Sequence, residues 1–156
     1  MKKILVPIDF SECSANALKV AASVAKKQDA DIIALHMIGL SEAMSIGGAK
    51  EEYEIMHYIK LVERRFQEFL DKDYLEGINI TDTVYNYQNF TAINDIAREH
   101  NASLIIMGSH GTSGFNEMFV GSNTEKVVRT SDIPVLVIKG EPKDFTLEHA
   151  VFVSDF

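Results

Sequence analysis

At 156 residues and 46% hydrophobic content, the chain has the size and composition of one ordinary globular domain, which excludes a disordered segment. Its formal charge of −8 is spread along the chain with no cluster of Lys and Arg interleaved with aromatics, which makes DNA and RNA poor partners. The longest apolar runs fall far short of the about 20 residues that a membrane helix requires, so no membrane association is expected.

The opening Met1-Lys2-Lys3 passes straight into a strand-like run without the apolar stretch of a secretory signal, which predicts a cytoplasmic protein. The run Ile4-Leu5-Val6-Pro7-Ile8 is continuously apolar, as in a strand covered on both faces of a parallel sheet. It ends at Asp9. Ser11 then offers an N-cap, and Ala15, Leu18, Ala22 and Ala25 recur at helical spacing up to Lys26 and Lys27. Within this helix lies the single cysteine, Cys13, which rules out an internal disulfide and suits a reducing compartment. Residues 32–38 repeat the strand pattern and stop at Gly39, and residues 40–48, with their Gly47-Gly48 pair, read as a loop. From about residue 50 to 72, Ile55, Ile59, Val62, Phe66, Phe69 and Leu70 give one apolar stripe and predict a long amphipathic helix.

After Gly77, residues 78–87 carry Ile78, Ile80, Val84 and Tyr85 as a β-type run. Residues 91–100 predict a helix that buries Ile93, Ile96 and Ala97. Leu104-Ile105-Ile106-Met107 reads as a buried strand ending sharply at Gly108, residues 122–130 hold one modest helix, and Val135-Leu136-Val137-Ile138 is a last strand. The order β-α-β-α-β-α-β-α-β calls for an α/β fold: an open, doubly wound, five-stranded parallel sheet with right-handed crossovers and helices on both faces.

In such sheets ligands sit beyond the carboxyl ends of the strands, where the strand order reverses. Two strand ends carry chemistry: Asp9 after the first strand and Gly108 after the fourth. Gly108-Ser109-His110-Gly111 is followed by nine residues and then by Gly121-Ser122-Asn123-Thr124, which opens a helix. Glycines here let the backbone take positive φ and approach a ligand closely. Successive N–H groups in such turns form an anion nest, and a helix start favours phosphate through its unpaired N–H groups and its dipole. The hydroxyls of Ser109, Ser122 and Thr124 add donors.

Each piece also has a purely structural reading. Ser122 with Glu125 fits a capping box, Gly108 can simply end a strand, and Gly111 or Gly114 can serve a surface turn. Asp9 fits a helix-entry turn ahead of Ser11, and His110 is either solvated or in touch with a phosphate. The spacing is neither a Walker A loop nor a Gly-x-Gly-x-x-Gly turn after the first strand.

The pattern Gly-x2-Gly-x9-Gly-Ser, filled by Gly108, Gly111, Gly121 and Ser122, resembles the signature of nucleotide-binding members of the universal stress protein family. Lys3-Ile4-Leu5-Val6-Pro7-Ile8-Asp9-Phe10-Ser11 is similar to that family's opening strand, Ile105-Ile106-Met107-Gly108-Ser109-His110-Gly111 to its fourth strand and loop, and Ile133-Pro134-Val135-Leu136-Val137-Ile138 to its final strand. The likeness covers residues 1–140. It implies strand order 3-2-1-4-5 and an ATP site, with Mg²⁺ accompanying the nucleotide, between the first and fourth strands. On this resemblance Pro7, Ile8 and Asp9 lie beside the nucleoside, with the Asp9 carboxylate accepting from ribose or base, and Met37 lies beside the adenine. Met107, Gly108, Ser109, His110, Gly111, Gly121, Ser122, Asn123 and Thr124 line the ribose and phosphates. One departure is Asn86-Tyr87-Gln88-Asn89-Phe90-Thr91, where family members often carry a glycine and a small residue, and its bulk narrows or reshapes the adenine side. The implied strand order makes Val135–Ile138 a sheet edge, and an apolar edge is normally paired, so a homodimer through it is expected.

The favoured reading is a nucleotide-dependent regulatory or stress-response module. A slow ATPase or ATP-dependent transferase is the alternative. It needs a group to position water or an acceptor, whereas Asp9 is the only acidic side chain at these strand ends and no Lys or Arg is aimed at the phosphates. A ligand-free dimerisation module is the second alternative, against which the retained glycine pattern argues. A phosphoacceptor receiver domain needs further acidic residues after the first and third strands, and an FMN site needs a hydroxyl-rich loop after the first. Neither pattern is present. Residues 141–156 read as a linker and the first strand of a truncated second copy, because His149-Ala150-Val151-Phe152-Val153-Ser154-Asp155-Phe156 looks like Lys3 to Phe10. In an intact tandem protein the two copies form a pseudo-dimer; here the orphaned strand is expected to be disordered or to find a sheet edge.

Overall fold

A computed structural model describes residues 2–38, 49–86, 92–109, 120–142 and 145, and for residues 49–55 and 86 the backbone alone. The expectations for residues 39–48, 87–91, His110, Gly111 and 149–156 fall outside the described residues. Five strands, β1 (Lys2–Pro7), β2 (Ala30–Ile38), β3 (Ile80–Asn86), β4 (Leu104–Gly108) and β5 (Val135–Ile138), form one sheet. Four helices, α1 (Glu12–Gln28), α2 (Ala49–Leu70), α3 (Ala92–Glu99) and α4 (Ser122–Thr130), connect them. Every strand pair is parallel and the order is β3-β2-β1-β4-β5. No helix among the described residues is long and apolar enough to cross a membrane.

The chain steps outward from β1 to β2 to β3 through α1 and α2, then returns to the other side of β1 through α3 and α4. Right-handed crossovers in opposite directions must cover opposite faces. Two apolar layers result. On one face Leu18, Val20 and Ala21 of α1 meet Val62 and Phe66 of α2 over Ile4, Val6 and Ile32. On the other, Ile93, Ile96 and Ala97 of α3 and Val127 of α4 cover Leu5, Leu35 and Ile105.

Helix α1 begins as the sequence predicts, with the Ser11 side chain accepting from the Ser14 N–H at 3.2 Å. It ends at Asp29, a left-handed cap at φ 51°, after Lys26 and Lys27 have placed two cations on the negative end of the dipole. The expected single stripe understates its burial: Ser14, Asn16, Ala17, Leu18, Val20, Ala21, Ala22 and Ala25 are all buried. The reason is tertiary: α1 lies against β1, β2, β4 and β5 together. Beyond β5, Glu141 faces Lys19 at 3.8 Å and the Phe145 carbonyl accepts from Ser23 Oγ at 3.4 Å. A 3₁₀ turn, Asp73–Leu75, follows α2 and buries Leu75; it is too short to leave a periodic signal in the sequence.

Candidate functional site

Strand order reverses between the neighbours β1 and β4, which opens a crevice beyond their carboxyl ends. A cavity of about 130 Å³ lies there. Pro7, Ile8 and Asp9 supply one wall, Met107 and Gly108 a second, and Asn123 and Thr124 a third, while Leu35, His36 and Met37 come from the end of β2. Ser14 of α1 and Ile93 of α3 complete the lining.

The first wall is held by hydrogen bonds from its neighbour. The Ile8 N–H donates to the Leu35 carbonyl at 2.7 Å. The Ile8 carbonyl accepts from His36 Nδ1, also at 2.7 Å. Because a carbonyl can only accept, His36 Nδ1 is the donor in this bond. Asp9 then closes the turn into α1: its Oδ1 accepts from the Ser11 N–H at 3.0 Å and from the Ser11 hydroxyl. The helix-entry role of Asp9 is therefore realised, and the same residue lines the cavity.

The second and third walls are joined. The Gly121 N–H donates to the Ser109 carbonyl at 2.7 Å, so the two ends of the glycine-bracketed loop meet. The Ser109 N–H in turn donates to the Ile138 carbonyl at 2.9 Å and anchors the loop on β5. Thr124 Oγ1 donates to the Gly108 carbonyl at 2.9 Å. A hydroxyl has one proton, so this bond leaves the Thr124 backbone N–H, not its hydroxyl, as the donor for an anion. Ser109 is buried at 2% exposure and sits behind the cavity lining.

Two structural readings of the motif change here. The capping box is not formed: the N-cap of α4 is Gly121, at φ −61° and ψ 147° with no side-chain cap, and Ser122 is the first helical residue. Glu125 pairs with Arg129 at 3.4 Å instead. Ser122, Asn123 and Thr124 thus occupy the first turn, where N–H groups have no intrahelical acceptor and the dipole is positive. Gly108 has a steric role as well, because a Cβ there would come within 2.9 Å of the Cys13 backbone. Its lack of a side chain lets α1 pack directly on the end of β4.

The structure thus brings Pro7, Ile8, Asp9, Met37, Met107, Gly108, Asn123 and Thr124 to one cavity, with Ser109, Gly121 and Ser122 beside it. Ser14, Leu35, His36 and Ile93 were missed by the sequence reading. His36 left a usable signal, a polar ring inside an otherwise apolar strand run one residue before Met37. Ser14 and Ile93 read as ordinary helix residues.

A sequence model of the universal stress protein family matches residues 1–139. The chain belongs to that family. It is 33% identical over 153 residues to universal stress protein MJ0577 of Methanocaldococcus jannaschii, an alignment covering 88% of this chain and 94% of the relative. To universal stress protein YxiE of Bacillus subtilis it is 34% identical over 145 residues, covering 88% and 98%. The solved structure of MJ0577 superposes with a TM-score of 0.71 at 31% identity, covering 91% of this chain and 98% of that one. The universal stress protein from Archaeoglobus fulgidus solved in complex with dAMP shares the fold at a TM-score of 0.58 and 18% identity, over 89% and 98% of the two chains.

Proposed function

We propose that this universal stress protein domain binds ATP, accompanied by Mg²⁺, in the crevice between β1 and β4 and acts as a nucleotide-dependent regulatory module. One observation carries the reading: a cavity at the topological switch point is lined both by Asp9 and by the uncapped first turn of α4. One is an acceptor for sugar or base hydrogen bonds, and the other is a set of donors for phosphate. That the same fold holds dAMP in the Archaeoglobus fulgidus protein is a precedent for the architecture.

The fit is partial by volume and consistent in chemistry. About 130 Å³ is well under the ~300–1,000 Å³ of complete small-molecule pockets, so among the described residues the cavity accounts for only the base end of a nucleotide. Met37, Ile8 and Ile93 offer the base apolar contacts, and the phosphates extend along the start of α4. Mg²⁺ keeps several waters and is held largely by substrate phosphates, so it would arrive with the nucleotide's phosphates at the start of α4. In the regulatory reading these residues bind and orient the nucleotide rather than turn it over.

Gly121→Val tests the site. A backbone at φ −61° accepts any L residue, so the variant is expected to keep its circular dichroism while the branched side chain blocks the phosphate path. Calorimetry should show ATP binding to the wild type and none to the variant; unchanged affinity in the variant refutes this site. Turnover should lie far below the ~1–1,000 per second usual for enzymes, and rapid steady-state phosphate release would establish the ATPase alternative.

A further inference from the structure

We propose that Phe10 couples occupancy of the crevice to helix α2, making α2 the surface on which the bound state is displayed. The inference rests on the nucleotide reading above.

Phe10 has a left-handed backbone at φ 62°. A bulky aromatic residue rarely adopts that region, and such a conformation persists only where the surroundings over-determine it. The surroundings are explicit. The Phe10 ring lies 4.6 Å from His36, 5.3 Å edge-on from Phe66 and 5.6 Å edge-on from Phe69, with the Arg65 guanidinium 4.6 Å over its face. Three of these four groups belong to α2. Phe10 is therefore a peg from the β1–α1 turn seated in a socket that α2 largely builds.

The other end of the same turn is the crevice wall. Asp9 precedes Phe10 and lines the cavity, as does Ile8. The turn cannot absorb a displacement by flexing, because Ile8 is tied to β2 through Leu35 and His36, and the Asp9 carboxylate is tied to Ser11. Asp9 and Phe10 share a peptide plane, so rotating that plane to reposition the carboxylate swings the ring. His36 belongs to both ends, since it lines the cavity and packs on Phe10. No residue of α2 is on the cavity lining among the described residues, so a nucleotide effect on α2 must arrive through an intermediary.

Two states follow: ring seated with the backbone left-handed, or ring withdrawn with φ relaxed to negative values. A ligand shifts such an equilibrium only by its preference for one state. A nucleotide that binds the clamped Ile8–Asp9 wall prefers the seated state and tightens α2.

The test is hydrogen exchange of the full chain, with and without saturating Mg²⁺ and ATP, beside calorimetry on the same samples. In the wild type, ATP should slow exchange several-fold both in the β1–α1 turn and in residues 62–70 of α2. Phe10→Gly tolerates φ 62° but has no ring; it should still bind ATP and lose the α2 response. Arg65→Ala, a surface change that leaves the aromatic seat in place, should weaken that response, and it serves if Phe10→Gly fails to fold. ATP binding with α2 exchange unchanged in the wild type overturns the coupling and leaves the nucleotide reading intact, as does an undiminished response in Phe10→Gly. No ATP binding to the wild type overturns the nucleotide reading and the coupling with it.

Discussion

Gly108→Ala is expected to destabilise the protein by more than one added methyl group ordinarily does. An ideal Cβ on Gly108 would stand 2.9 Å from the backbone carbon, the backbone oxygen and the Cβ of Cys13. Carbon atoms prefer about 3.5–4.0 Å, so the helix must retreat by roughly half an ångström or more. The obstacle is backbone in the first turn of α1, and a rotamer change cannot relieve it. Nor can α1 retreat freely, because Leu18, Val20 and Ala21 hold it in the buried layer shared with Val62 and Phe66 of α2. Overpacking in such a site costs about 1–3 kcal/mol, and a backbone obstacle argues for the upper half of that range. For a domain of this size ~2–3 kcal/mol lowers the Tm by about 4–12 °C. Gly77→Ala is the control: it sits at φ +79° with nothing within 4 Å, so only the left-handed backbone is penalised. That penalty is about 1–2 kcal/mol and is offset in part by the reduced entropy of the unfolded chain. Urea unfolding followed by circular dichroism reads both, with equal m-values required for the comparison. A Gly108→Ala variant within about 0.5 kcal/mol of wild type would refute the close-packing account.

Two further outcomes are expected. Asp132 accepts from Arg98 Nε at 3.1 Å, and that hydrogen bond holds its carboxyl below the usual carboxylate range. The folded value being the lower one, the pair's contribution is present above the unfolded pKa of ~3.9 and is lost as pH falls through the folded value. NMR titration should show the depression, and Arg98→Gln or high salt should diminish it, because both groups are exposed. The protein should also dimerise through β5, an edge of the sheet whose Val135, Leu136 and Val137 remain half-buried. Sedimentation showing a monomer at high micromolar concentration would contradict this.

β1, β2, β4 and β5 were legible because strands of a parallel sheet read as continuous apolar runs, whereas β3, an edge strand with Thr81 and Asp82 exposed, showed only as a β-type run. α4 and β5 fall on the expected residues 122–130 and 135–138. The beginning of β1 was not legible, since Lys2 and Lys3 join the ladder opposite Ala30 and Asp31 by backbone pairing that hydrophobicity does not report. α1 was legible as a helix and illegible in its burial. Its buried set includes Ser14 and Asn16, polar residues that no apolar stripe marks, because α1 lies against four strands at once.

At the candidate site, the glycine spacing was visible but the physics behind each glycine was not. Gly108 is required by the nearness of Cys13, a contact between elements that local sequence cannot reveal. Gly121 presents the opposite case. Its φ of −61° and ψ of 147° suit any residue, so nothing in its own backbone demands glycine. Ser, Asp or Asn at this N-cap would stabilise α4 by only a few tenths of a kcal/mol over glycine. Each would also place an oxygen on the N–H of Asn123 or Thr124, occupying one of the donors that face the cavity. Leaving the cap bare therefore costs the fold little and keeps the amides open towards the cavity that Asn123 and Thr124 line. That asymmetry is why Gly121, rather than Gly108, is the position at which a side chain separates the binding reading from a purely structural one.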